Sequence, residues 1–288
     1  NPSPMSQPPA SSDAPPIAAG EPAWGPARLS GNPHEDREKA LRVHAMFEAI
    51  ARRYDLNNRL HSFGRDVAWR RAAVRAAGVG SGDDVLDVAC GTGDLSAALH
   101  EAGVKRVLGI DFSQAMLDLA IAKSRRLRGP GAIEYRLGDA MDLARPDASF
   151  DAVTIAFGLR NVAEPPRALR EFRRVLRPGG RLVVLEFSEP RQPIVRWMNR
   201  LYTEQIMPVT ATVVSGDRSG AYRYLPRSVR TFPDPVALSA QIADAGFAEV
   251  ARTPLTFGVC TIHTATVPAD SKEESVQLRG PGDPTLRP

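Results

Sequence analysis

The stretch VLDVACGTGD, Val85 to Asp94, decides how this 288-residue chain is read. Val85 to Ala89 is a short apolar run, and it passes directly into Cys90, Gly91, Thr92 and Gly93 and then into a helix-forming segment. Strand, glycine turn and helix in that order make the nucleotide-binding corner of a doubly wound sheet, because glycine lets the backbone turn tightly and approach a ligand. Two details weigh against a dinucleotide. The third glycine of G-x-G-x-x-G is replaced by Ser96, and Asp94 occupies the first helical turn, where a pyrophosphate would have to bind. Asp87, four residues before Gly91, adds a second carboxylate, so the corner is expected to favour a cationic ligand.

Outward from this corner, strands and helices alternate. Arg106–Asp111, Ile133–Asp139, Phe150–Phe157 and Arg181–Phe187 read as further strands, and the segments from Leu95, Ser113 and Pro165 read as helices. Ala168, Leu169, Phe172, Val175 and Leu176 give the last of these helices an apolar face. Alternation of this kind predicts an α/β fold: a doubly wound, Rossmann-like sheet, mostly parallel. Two final strands, Glu249–Phe257 and Val259–Val267, have only Gly258 between them and should form a C-terminal antiparallel hairpin. Before the sheet, Val43, Phe47, Ile50 and Tyr54 recur at helical spacing, predicting an N-terminal helical cap from about His34 to Gly80.

Composition sets the outer limits. Hydrophobic residues at 43% and charged residues at 24% belong to a globular chain, and no stretch of about 18 uncharged apolar residues occurs. Nine of the 25 prolines fall in residues 1–33 and four in 268–288, so both ends are expected to be disordered tails. The intervening domain, 34–267, divides into the helical cap (34–80), a cofactor-binding core (81–187), a substrate or lid insertion (188–230), and a final helix with the hairpin (231–267). Cys90 and Cys260 are too few for a disulfide framework, no metal-ligand spacing occurs, and no basic-then-apolar leader opens the chain. Together these give a cytoplasmic expectation. The formal charge of +4 is carried almost entirely by arginines interspersed with acids, which indicates no nucleic acid but leaves an anionic membrane surface open.

In such sheets ligands bind outside the carboxyl ends of the strands. Asp111 closes the second strand 18 residues after Gly93, near the spacing of a ribose-binding acid, and Asp139 with Ala140 ends the third, where an exocyclic adenine amine would lie. Ser113 is a good N-cap for the helix after Asp111; Met116 suits either an adenine face or the core. Asp87, Gly91, Thr92, Gly93, Asp111, Asp139 and Ala140 are therefore the candidate cofactor residues. A ligand with an ammonium, a sulfonium and an adenosine fits that set: S-adenosylmethionine.

With those residues in place the sequence resembles the class I S-adenosylmethionine-dependent methyltransferases, and within them the UbiE/MenG quinone C-methyltransferases, from about Met46 to Val267. Beyond the glycine loop, the resemblance is carried by YDLNNRLHSFGRDVAW (Tyr54 to Trp69), FGLRNV (Phe157 to Val162), RVLRPGGRLVVLEFS (Arg174 to Ser188) and YRYLPRSVRTFP (Tyr222 to Pro233). It implies a lipophilic quinol substrate, either demethylmenaquinol or a 2-polyprenyl-6-methoxy-benzoquinol, and cofactor contacts at Thr92, Asp111, Asp139 and Ala140. Three departures stand out: Ala156 where the family has serine, Asp66 where it has histidine three residues before Trp69, and Arg177 in place of lysine.

Methylating a quinol ring carbon requires the neighbouring hydroxyl to lose its proton as the carbon attacks, so a developing phenolate must be stabilised. Arg160 and Asn161 follow the fourth strand and are the candidate catalytic pair, with Arg160 as the electrostatic partner of the phenolate; the competing reading has it bridging to a carboxylate. Tyr222, Tyr224, Asp66 and His61 are candidate proton acceptors. Within 188–230, Trp197, Met198, Leu201, Tyr202 and Ile206 lie on or near one helical face, as core or as a lipid-binding lid. With the basic cap, that face is compatible with peripheral contact on the inner face of a membrane. A nicotinamide oxidoreductase, a non-catalytic adenosylmethionine-binding protein and a small-molecule methyltransferase of another pathway are the competing functions.

Overall fold

The computed structural model describes residues 21–127 and 132–269. Seven strands, β1 (Asp84–Val88), β2 (Arg106–Asp111), β3 (Ala132–Leu137), β4 (Phe150–Ala156), β5 (Leu176–Phe187), β6 (Ala248–Leu255) and β7 (Cys260–Thr266), make one sheet in the order β3-β2-β1-β4-β5-β7-β6. The first five are mutually parallel, and β7 runs antiparallel to both β5 and β6. The expected doubly wound sheet and hairpin are thus present. Because β2 and β4 flank β1 on opposite sides, the winding reverses there, and the crevice at the carboxyl end of β1 is the switch point.

Burial on both faces explains the near-continuous apolar strands. Leu86, Val88, Leu108, Ile110, Val153, Ile155 and Leu182 pack against α6 (Pro165–Val175) and α10 (Pro235–Asp244). Val85, Val107, Ala152 and Val183 face the other way, onto α3 (Arg65–Ala77) and α4 (Asp94–Glu101). Ala168, Leu169, Phe172 and Val175 are all buried, as the periodicity of α6 predicts. At the switch point Gly93 has φ +80, and a Cβ there would run into the Tyr135 hydroxyl, so this position requires glycine on both counts.

A third cluster lies over the sheet's carboxyl edge. It joins α2 (Lys39–His61), α5 (Gln114–Ser124), α8 (Met207–Ser215) and α9 (Ala221–Thr231) through Val43, Met46, Ile50, Met116, Met207, Ala211, Tyr222 and Tyr224. The insertion 188–230 is helical except at 188–192 and 216–220, with α7 (Pro193–Leu201) and a π-helical turn, Tyr202–Ile206, preceding α8. Residues 21–33 do not fit the expected tail. They carry α1 (Pro26–Leu29), and Trp24 is only 1% exposed because its ring stacks on Tyr224 at 4.6 Å. One large aromatic supplies enough buried surface to order a proline-rich segment that composition alone marks as disordered. The remainder of the two expected tails, 1–20 and 270–288, lies outside the described residues.

Candidate active site

The carboxyl ends of β1, β2 and β3 bring most of the candidate cofactor residues together. Gly91 N–H donates to Asp111 Oδ2 at 2.7 Å, Ser113 N–H donates to Asp111 Oδ1 at 2.9 Å, and Gly138 N–H donates to the Asp111 carbonyl at 3.0 Å. Ser113 also caps α5, accepting from Met116 N–H. Burial raises the Asp111 pKa to about 6 against the pull of those backbone donors, so the carboxyl is ionised at neutral pH and each oxygen keeps an acceptor position for a ribose hydroxyl. Asp139 is exposed beyond β3, with one oxygen accepting from Met141 N–H at 2.9 Å, and Ala140 packs against the core beneath it. A Cβ at Gly91 (φ +55) would meet nothing within 4 Å, so the loop's outer surface is open. These donors, acceptors and the open loop fit an adenosine-bearing cofactor. Met116 resolves as core, at 1% exposure.

Two carboxylates behave differently from the expectation. Asp87 is buried with both oxygens occupied, accepting from Ser96 Oγ at 2.6 Å and Thr154 Oγ1 at 3.0 Å. Burial lifts its pKa to about 6 in spite of those bonds. It braces the loop from behind and presents no charge to a ligand, and Ser96, standing where a third glycine would be, is its donor. Asp94 is not a free anion either: Lys123 bonds it, and Arg59 and Arg70 lie 3.8 and 3.9 Å away. Burial would raise its pKa, but Arg70, Lys123 and Arg59 outweigh that and hold it below the usual range. The charge argument against a diphosphate therefore fails at both positions. Thr92 Oγ1 donates to Asp55 at 2.5 Å and accepts from Lys123 at 3.1 Å, so this hydroxyl ties α2 to the loop.

Arg160 and Asn161 sit in a 3-10 turn, Leu159–Asn161, just after β4, and wall a cavity of about 180 Å³. Trp69, Phe157, Phe187, Tyr222 and Tyr224 give it aromatic sides, and all four candidate proton acceptors, His61, Asp66, Tyr222 and Tyr224, line it. Gly91, Thr92, Asp111 and Asp139 are not part of its lining; α2 borders both places, giving the cavity Met46, Phe47 and Ile50 and bonding Thr92 of the loop through Asp55. Arg160 Nη1 donates at 2.7 Å to both Glu186 Oε1 and the Phe157 carbonyl. The carboxylate-bridging reading is thus part of the answer. Among the described residues, neither Nε nor Nη2 has a protein acceptor, which leaves donor capacity in a buried cation. Asn161 Nδ2 donates to the same Phe157 carbonyl at 3.2 Å, and its Oδ1 accepts from Tyr224 OH at 3.0 Å. Burial pushes the Tyr222 phenol up to about 12 and the Tyr224 phenol higher, so neither is an effective base near neutrality. Asp66 is held by Arg70 at 2.8 Å and Ser62 at 3.0 Å.

The apolar stripe of the insertion is not core. Trp197 is 65% and Met198 59% exposed, Ile194, Val209 and Val213 more so or similarly, and Leu201 and Ile206 are also exposed. Phe63, in the turn after α2, stacks near Tyr202 at 5.6 Å and extends the same face. Sequence reading missed Glu186, Lys39 and Trp24. A lone acid within the apolar run RLVVLEF and a lone tryptophan within a proline-rich segment were the available signals. Lys39, 2% exposed, bonds the Val162 carbonyl; burial, then Arg160, lowers its pKa to about 8.

Solved structures share this architecture: the methyltransferase bound to the Trm112 activator of Haloferax volcanii (TM-score 0.56, 21% identity, covering 77% of this chain and 97% of that one), and an S-adenosylmethionine-dependent methyltransferase of Thermotoga maritima (0.54, 19%, 78% and 99%). A [4+2]-cyclase, SpnF, matches equally (0.54, 22%, 70% and 81%), so the fold alone does not name the reaction. Sequence relatives are far closer. The demethylmenaquinone methyltransferase of Thermus thermophilus is 49% identical over 226 residues, 77% of this chain and all of that one; that of Clavibacter sepedonicus is 44% identical over 232 residues, 81% and 93%. The ubiquinone/menaquinone biosynthesis C-methyltransferase UbiE of Geobacter sulfurreducens is 42% identical over 229 residues, 79% and 89%. Since the model of the ubiE/COQ5 methyltransferase family matches residues 35–267, from the start of the cap to the end of the hairpin, the chain belongs to that family.

Proposed function

We propose that this protein transfers the methyl group of S-adenosylmethionine to a ring carbon of demethylmenaquinol, giving menaquinol, with the quinol head held against Arg160 and Asn161. The observation that carries the reading is the buried Arg160 guanidinium, anchored through one nitrogen to Glu186 and walling an aromatic cavity. The cofactor supplies an electrophilic methyl group on a sulfonium. Everything else is asked of the chain: Asp111, Gly91 and Asp139 hold the adenosine, Thr92 closes the loop, and the aromatic walls orient the ring. Arg160 stabilises the phenolate as a preorganised charge, and the hydroxyl proton and the ring C–H proton that the methyl group displaces both pass to water. Asn161, fixed between Tyr224 and the Phe157 carbonyl, sets the turn.

A polyprenyl tail needs an apolar exit, and the cavity lining runs out to Tyr202 and Met207 beside the exposed face of α7 and α8. Arg59, Arg65, Arg196 and Arg200 lie on neighbouring segments, which supports peripheral contact with an anionic leaflet. Among the described residues no helix is long and apolar enough to cross a membrane. The test is turnover of purified protein on demethylmenaquinol, on the 2-polyprenyl-6-methoxy-benzoquinol and on a tail-less demethylnaphthoquinol. The reading expects the first to be used best; equal or better use of the tail-less compound counts against the lipid assignment.

A further inference from the structure

Seven of the residues that line the cavity, Ala221, Tyr222, Tyr224, Leu225, Pro226, Val229 and Arg230, come from one helix, α9. That helix is poorly equipped to hold itself. Pro226 lies within its 11 residues, removing a backbone donor and crowding the preceding turn, and its N-cap Gly220 has no side chain to cap it, leaving only a 3.3 Å bond from Ala221 N–H to Asp217 Oδ2. Asn57 bonds the Tyr222 hydroxyl at 2.6 Å and Glu204 pairs with Arg230 at 2.9 Å, but most of the helix's bonds come from the segment just ahead of the family-matched region. Trp24 N–H donates to the Ser219 carbonyl at 2.9 Å, beside Gly220, whose φ of +86 and lack of a Cβ let the Trp24 carbonyl approach closely. Further along, Arg227 forks onto the Ser30 and Gly31 carbonyls at 3.2 and 2.9 Å, and the His34 ring bonds the Ser228 carbonyl at 2.8 Å. Arg42, itself buried, bonds the Ala23 carbonyl at 3.0 Å and fixes the segment to α2.

We propose that residues 24–34 act as a splint for α9, and that Trp24 is a positioning residue for the Arg160–Asn161 wall. The route is short and continuous. Trp24 stacks on Tyr224, the Tyr224 hydroxyl donates to Asn161 Oδ1, and Asn161 and Arg160 both donate to the Phe157 carbonyl. Trp24 itself does not line the cavity, so its effect on chemistry passes through Tyr224. Among the described residues its buried indole N–H has no acceptor, and the ring's contact is the stack on Tyr224. This inference rests on the role proposed above for Arg160 and Asn161.

The test uses the full chain with Trp24→Ala, Trp24→Phe, Tyr224→Phe and the Trp24→Ala/Tyr224→Phe double variant. Trp24→Ala is expected to lower kcat for demethylmenaquinol at least ten-fold while the Kd for S-adenosylmethionine changes less than two-fold, and Trp24→Phe to recover to within three-fold of wild type. The double variant should be no slower than the slower single variant, because both changes break one chain of contacts. Hydrogen exchange of the peptide spanning 157–162 should quicken in Trp24→Ala while that of β1 and β2 does not; this readout needs no turnover, so an inactive wild type would count against the function and leave the splint still judged. If Trp24→Ala does not fold, Trp24→Leu replaces it with the same expectations. Multiplying kcat losses in the double variant, or unchanged exchange at 157–162, would overturn the proposal.

Discussion

Replacing Arg160 with lysine separates its two jobs. Arg160 Nη1 makes both of its protein bonds, to Glu186 and to the Phe157 carbonyl, each at 2.7 Å. A lysine ammonium can stand near that point, so the buried ion pair survives. What is lost is the remainder of the fork, the Nε and Nη2 donors assigned to the phenolate. Loss of one preorganised donor costs about 10²–10³ in kcat, or about 3–4 kcal/mol. Arg160→Lys is therefore expected to lower turnover by that factor with its melting temperature and S-adenosylmethionine affinity nearly unchanged. Arg160→Ala is a different experiment: it strands Glu186, 1% exposed, with only backbone donors, at a cost of about 3–5 kcal/mol of stability. For a domain of this size that is a melting temperature lower by roughly 6–20 °C. The assay is steady-state turnover, calorimetric cofactor affinity and thermal unfolding on the same preparations. A lysine variant turning over within three-fold of wild type would refute the catalytic reasoning and leave Arg160 as a structural ion-pair partner.

Asp111→Ala should weaken S-adenosylmethionine binding by about 1–3 kcal/mol through lost charge-assisted hydrogen bonds, measured by calorimetry; unchanged affinity would remove the ribose assignment. Truncating Trp197, Leu201 and Tyr202 together should abolish any preference for a long-tailed quinol, each buried methylene being worth up to about 0.8 kcal/mol, while Trp197, being mostly exposed, contributes little to the melting temperature. A triple variant that keeps the tail preference would show that the tail leaves by another path. Lys39→Met should stabilise the protein at pH 7 by up to about 3 kcal/mol. The lysine binds its proton less tightly folded, at about 8, than unfolded, at 10.5, so its cost is full below pH 8 and fades as pH rises through that window. Thermal unfolding from pH 7 to 10.5 checks this, and a variant less stable than wild type at pH 7 would mean that the bond to Val162 outweighs the burial of charge.

The fold was legible because its signals are local. β1 runs straight into its glycine turn, and α6 shows its buried face in four residues of regular spacing. The hairpin followed from a connection too short for a crossover. The site was legible only in outline, since the functional states of its groups depend on partners distant in sequence. Arg160 meets Glu186 only because β4 and β5 are neighbours, and Asp94 is neutralised by Lys123, Arg59 and Arg70 from three other helical segments. Asp87 reads in sequence as a second negative charge facing the ligand, yet its register beside Thr154 and the turn of α4 that brings Ser96 over it make it a buried brace. The segment 21–33 was lost to composition, which averages over nine prolines and cannot weigh one tryptophan in the right place.

The central claim is methyl transfer from sulfur to a ring carbon of a prenylated quinol, and the position of the transferred carbon tests it most directly. Purified protein is incubated with S-adenosylmethionine carrying a ¹³C-methyl group and with demethylmenaquinol, and the product is read by carbon NMR and mass spectrometry. The account expects one labelled methyl per quinol at the chemical shift of an aryl C–CH₃, giving menaquinol, and loss of that signal in Arg160→Lys at matched enzyme concentration. A labelled methoxy signal, or no transfer by folded wild-type protein that binds the cofactor, would contradict it.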